Sequence, residues 1–198
     1  MLRVVEEPPP GIQLSQFHRH GHRESVGIDV IRRVAFRKAI LAGAIGAVGW
    51  EVVVRLLITL GVPLGDLVRF LGTMITGDST ALVWWPVGLV LHASVGAVWS
   101  IFYAYFFWST FDWRPPLQGL VFSGIPIVLA GLVMLPQLAL MHPLVLRGEI
   151  PKPGLFSFGI GWGGPVAIVL GHLIYGAIMG SLYTKPVGYR VSPRLAHG

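Results

Sequence analysis

The sequence predicts an all-α membrane protein with four transmembrane helices, arising from a duplicated two-helix unit, with both termini in the cytoplasm. Three observations predict the class. Of 198 residues, 54% are hydrophobic and 12% charged, with a mean hydropathy of +0.69, whereas a soluble domain carries about 25% charge. Four apolar stretches are long enough to cross a bilayer, which takes about 20 residues at about 1.5 Å each. Proline, tryptophan and basic residues mark the ends of those stretches. The lack of cysteine excludes disulfides, thiolate metal sites, iron–sulfur clusters and cysteine nucleophiles.

Residues 1–38 form a basic cytoplasmic arm. Its first part contains Pro8, Pro9 and Pro10 and the run from His18 to Arg23, and it has no apolar core of a signal peptide. His18, His20 and His22 alternate as chelating residues do in an extended strand, but a solvated arm accounts for them equally, so no metal site is assigned. From 24 to 38, Val26, Val30, Ile31 and Val34 oppose Arg32, Arg33 and Arg37, the pattern of a juxtamembrane amphipathic helix.

The transmembrane domain, 39–184, holds spans at about 39–61, 84–107, 117–141 and 162–184, and a cytoplasmic tail follows at 185–198. Pro126 and Pro136 fall inside the third span and should kink it. Between the first two spans, residues 64–71 suit an interfacial helix. Between the last two, residues 142–161 carry enough proline and glycine for a shaped loop. The glycines at 159, 161, 163 and 164 lack both the preceding strand and the following Lys-Ser/Thr of a phosphate loop.

Lys and Arg set the orientation. Arg3, Arg19, Arg23, Arg32, Arg33, Arg37, Lys38, Arg114, Lys185, Arg190 and Arg194 fall on one side, and Arg69, Arg147 and Lys152 on the other. Eleven against three places both termini in the cytoplasm of a bacterial inner membrane by the positive-inside rule. Topology therefore accounts for the positive charge, and no nucleic-acid partner is expected.

The second and fourth spans repeat one motif. His92-x3-Gly96-x3-Ser100-x2-Tyr103 aligns without gaps on His172-x3-Gly176-x3-Gly180-x2-Tyr183, and Gly43 matches Gly119 in the spans before them. On these residues the chain resembles an uncharacterised family of small bacterial four-helix integral membrane proteins. The resemblance covers roughly residues 40–183 and implies architecture without implying an activity.

Small residues every four positions (Gly43 and Ala47; Gly88, Gly96 and Ser100; Gly176 and Gly180) predict close helix packing. The same rows lead to Glu51, Arg55, His92 and His172, a polar intramembrane cluster expected to face inward at one depth. A charge at mid-bilayer costs about 2.5–3.5 kcal/mol, and Glu51 and Arg55, four apart, offset part of that by pairing. One reading of the cluster is structural, with each histidine bonded to a backbone carbonyl, Glu51, Tyr103, Tyr175 or Gln137. A second is cofactor binding, with His92 and His172 ligating haem b or (bacterio)chlorophyll and Gly96 and Gly176 making room for the macrocycle. A third is a proton or ion relay through Glu51, His92 and His172. No catalytic residue is assigned, because neither His-Glu-x-x-His nor Gly-x-Ser-x-Gly occurs.

The expected function is that of a non-catalytic accessory subunit of a larger inner-membrane electron-transfer complex, respiratory or photosynthetic. Its partners would be other membrane subunits and lipids, met partly through Trp99, Phe102, Tyr105 and Phe106 on the second span. Two alternatives stand beside it: a stand-alone haem or pigment protein using His92 and His172, and a small transporter or proton-conducting module using Glu51, His92 and His172.

Overall fold

The computed structural model describes residues 34–108, 110–111 and 113–184. The arm with His18, His20 and His22, the expected 24–38 helix up to residue 33, and the tail 185–198 lie outside the described residues. Within them every regular element is helical. Helix α1 (Phe36–Thr59) is the first span, starting three residues before the expected position. Short helix α2 (Leu67–Thr76) follows, then α3 (Trp84–Phe102), which runs into a π-helical turn, Tyr103–Phe107.

The third span, Pro115–Ala139, is built in pieces: α4 (Pro115–Phe122), α5 (Gly124–Leu129), a π-helical turn (Ala130–Met134) and α6 (Leu135–Ala139). Its prolines explain the breaks. A helical proline clashes with the carbonyl four residues back. For Pro126 that residue is Phe122, where α4 ends; for Pro136 it is Leu132, inside the π turn. After α7 (Pro143–Leu146) and a tight segment at Leu155–Ile160, α8 (Gly163–Leu182) forms the fourth span. These four spans are long and apolar enough to cross a membrane. Val52, Leu56, Val90 and Val133 on their outward faces are half exposed or more, a surface suited to acyl chains and unsuited to water.

In lipid the hydrophobic effect does not drive helices together, so close backbone approach must. A Cβ on Gly43 would overlap the Gly96 carbonyl oxygen and crowd Ser100; one on Gly119 would overlap the Gly176 carbonyl and crowd Gly180. The two aligned motifs thus receive the two aligned glycines in the same way. Gly72 and Gly88 bring α2 against the start of α3: Gly72 meets Trp84, and Gly88 meets Val68. Helix α2 therefore runs antiparallel along the first turns of α3 and does not lie alone at an interface.

The main packing pairs are α1–α3, α1–α8, α4–α8 and α2–α3. The spans thus form an open arc in the order second, first, fourth, third. The second and third spans meet where the π turn Tyr103–Phe107 contacts α4, through an aromatic cluster in which Tyr103, Phe107 and Trp99 each pack against Phe122. On this side the described chain ends lie together: Lys38 Nζ donates to Thr184 Oγ1 at 2.9 Å, and the Ala35 amide donates to Tyr183 Oη at 3.3 Å. We call it the terminal side, and the opposite one the far side.

The far side is tied down by His142, which is fully buried. Its Nδ1 accepts from the Leu144 amide at 3.2 Å, capping α7, and Nε2 donates to the Phe70 carbonyl at 2.9 Å, fixing α2. Arg147 adds a bond to the Gly77 carbonyl at 2.8 Å and pairs with Glu149. Both nitrogens of His142 are committed to the neutral ring, and burial holds its pKa below the ordinary histidine value. A native pKa below the unfolded value of about 6.5 makes this contribution complete above pH 6.5 and erodes it as pH falls below. Stability measured from pH 7.5 down to 5 should therefore decline. His142→Asn, which retains an acceptor for the Leu144 amide, should flatten that decline; an unchanged slope would refute the assignment.

Candidate functional site: an ionic triad, an aromatic–imidazole cluster and a chamber

Glu51, His92 and His172 are all buried, at 5%, 4% and 8% exposure, and Arg55 is partly buried. Their contacts fall into two sets. Glu51 and Arg55, one turn apart on α1, pair as expected: Arg55 Nε and Nη2 donate to Glu51 Oε1 at 3.0 and 2.7 Å. The same guanidinium then reaches Asp66, with Nη1 to Oδ2 at 2.8 Å and Nη2 to Oδ1 at 3.0 Å. Asp66 also caps α2 by accepting from the Arg69 amide at 2.8 Å. The result is a Glu51–Arg55–Asp66 triad that clamps α2 to the first span. An Asp directly before an apolar run is a local signal for such a cap, whereas its pairing across the loop with Arg55 has no local signal.

The histidines instead meet Trp50. Its ring centroid lies 4.6 Å from that of His92, edge-on, and 4.5 Å from that of His172. Gly171 makes room for the indole, since a Cβ there would overlap it. His172 Nδ1 donates to the Ile168 carbonyl at 2.7 Å, while His92 Nδ1 is buried without a hydrogen-bond partner. A mid-span tryptophan, far from the interfacial belt, was the signal in the sequence for this cluster.

This geometry corrects the macrocycle reading. Both imidazoles already pack on the Trp50 indole. The space over Gly96 is taken by Ala47 and the Gly43 carbonyl, and that over Gly176 by Gly119 and Ser123. A haem or chlorophyll between His92 and His172 does not fit these residues. Two of the hydrogen-bond partners expected for the histidines are engaged elsewhere: Tyr175 Oη donates to the Gly96 carbonyl at 2.7 Å, and Tyr103 Oη donates to Gln118 Oε1 at 3.4 Å.

A cavity of about 460 Å³ opens in the gap of the arc, between α3 and the third span. Its floor is Trp99, next to the aromatic cluster, and its walls include Val95, Pro126, Ala130, Ala167 and His172. Asp66 and Arg69 line its far-side end, as do Ile150, Pro153, Ser157 and Ile160 of the loop that follows α7. That loop is held in an unusual form. Phe156 and Ser157 take left-handed φ values of 47° and 60°, which side-chain-bearing residues seldom adopt, and the Phe156 ring presses on Gly131 in the π turn. Counting from the aligned glycines Gly43 and Gly119, Trp50 corresponds to Pro126. One gap is filled by an indole, and where the other has a proline the chamber remains.

Comparison with protein-family models, with curated proteins and with solved structures found no match to this chain.

Proposed function

We propose that this chain is a non-catalytic multi-pass protein of the bacterial inner membrane, its termini cytoplasmic, that holds a lipophilic small molecule in a chamber reaching inward from the outer side of the bilayer. The observation that carries this reading is the chamber. Its volume is within the range of about 300–1,000 Å³ typical of ligand sites, its walls are mostly apolar, and it lies where two spans fail to close on each other. The orientation is supported by the excess of Lys and Arg on the side of the termini. Duplication of a two-helix unit is supported by the paired Gly43–Gly96 and Gly119–Gly176 contacts. With the macrocycle site filled, the polar residues act structurally: Arg55 holds α2 at the mouth, and Trp50 with its histidines forms part of the body.

The test is to purify the full chain gently and extract what it carries. Mass spectrometry should find a lipophilic species bound in about equimolar amount, lost when the chamber is filled by Ala130→Trp or Val95→Trp. Identical extracts from the wild-type and filled proteins would refute the reading.

An accessory-subunit role is a second proposal, favoured by the exposed aromatic face of Phe36, Phe102, Tyr105 and Phe106, whose rings contact one another near the terminal side. It requires the gently solubilised protein to migrate with other polypeptides; a lone monomer would refute it.

A further inference from the structure

We infer that the chamber takes a single-chain amphiphile with an anionic head, its head on Arg69 and its tail running toward Trp99. This rests on the chamber reading and adds the chemistry of the ligand.

Most polar groups on the chamber wall already have partners. Asp66 is occupied by Arg55 and by the Arg69 amide. Thr73 donates to the Arg69 carbonyl at 2.7 Å, and Tyr175 donates to Gly96. His172 spends Nδ1 on Ile168, leaving Nε2 as a neutral acceptor. None of these asks for a counter-charge. Arg69 does. Among the described residues, no carboxylate lies within ion-pair distance of its guanidinium, which sits over the Trp84 ring, 5.9 Å from its centroid. Arg69 lines the chamber beside Asp66, and its exposed guanidinium, resting on the Trp84 ring, presents a planar fork that matches a carboxylate oxygen pair.

Apart from Ser157, the remaining wall is apolar. Along α3 the distance from Trp84 to Trp99 is about 22 Å, more than half the hydrocarbon thickness of about 30 Å. A chamber that is charged only at its far-side end, lined mainly by apolar side chains and neutral polar groups along its length, and bounded by Trp99 matches a molecule charged only at one end. Its volume suits one acyl chain, so we assign a fatty-acid-class ligand over a two-chain phospholipid.

The full-length protein in phosphatidylcholine nanodiscs is titrated with palmitate, with hexadecanol (the same chain without the charge) and with phosphatidylglycerol, and bound probe is counted by native mass spectrometry. Palmitate should bind once per chain. Arg69→Gln should weaken it about tenfold and leave hexadecanol unchanged, whereas Val95→Trp should abolish both. Equal palmitate affinity in wild type and Arg69→Gln overturns the charge assignment while the chamber reading stands. Phosphatidylglycerol binding more tightly than palmitate, with the same dependence on Arg69, overturns the single-chain assignment. Failure of both palmitate and hexadecanol to bind wild type, or their full retention in Val95→Trp, overturns the chamber reading itself.

Discussion

Replacing Gly119 by leucine should cost the protein its fold. A Cβ at this position would overlap the backbone carbonyl of Gly176 and lie 3.0 Å from Gly180 Cα, and neither atom belongs to a side chain that can swing aside. Helices α4 and α8 would have to separate along their length. Overpacking a core costs about 1–3 kcal/mol when side chains can adjust; here backbone faces backbone, and the expected loss is about 3 kcal/mol or more. Gly124, in the same span, faces open space, with nothing within 4 Å of where a methyl group would sit. Gly124→Ala should therefore be neutral or slightly stabilising, since alanine is the better helix former. Thermal unfolding of the two variants in one detergent checks the contrast. A Gly119→Leu protein as stable as Gly124→Ala would mean that the α4–α8 contact is wrong.

The second large effect is expected at Arg55. Arg55→Leu strands Glu51 and Asp66 together with no cation between them. Removing one member of a buried ion pair costs about 3–5 kcal/mol; because the Arg55 side chain is 34% exposed, solvent screening lowers the expectation to about 2–3 kcal/mol. Glu51→Gln should cost less than about 1 kcal/mol, since Arg55 keeps both bonds to Asp66 and the amide oxygen still accepts one bond. The asymmetry is the test. Equal losses for the two variants would show that Arg55 does not bridge α1 and α2. Release of α2 in Arg55→Leu should also expose the segment 60–66 to protease.

The spans were legible because their signal is local: length, apolar content and terminal punctuation all lie within the stretch itself. The glycine rows were legible for the same reason, since small residues four apart mark a face wherever the partner lies. What the sequence could not supply was the partner on the other side of a contact. Asp66 lies eleven residues beyond Arg55, across a turn, and His142 bonds the Phe70 carbonyl 72 positions away. The contact of Trp50 with both histidines is hidden from the sequence for a related reason. Two histidines at one depth invited a ligand between them, yet the adjacent helix provided an indole that occupies that volume. The third span shows the limit in miniature. Its two prolines foretold disruption, but the breaks appear up to one turn earlier, where the displaced carbonyls are.

Because the spans form an open arc, the second and third can spread at the far side without severing any of the principal packing pairs, though the His142–Phe70 bond must then give. A longer, branched or unsaturated hydrocarbon would be admitted by widening that cleft, at the cost of the His142 tie and not of the helix pairs. Discrimination among occupants would then reside in the head and hardly at all in the tail, giving a receptor tolerant of chain length and strict about charge.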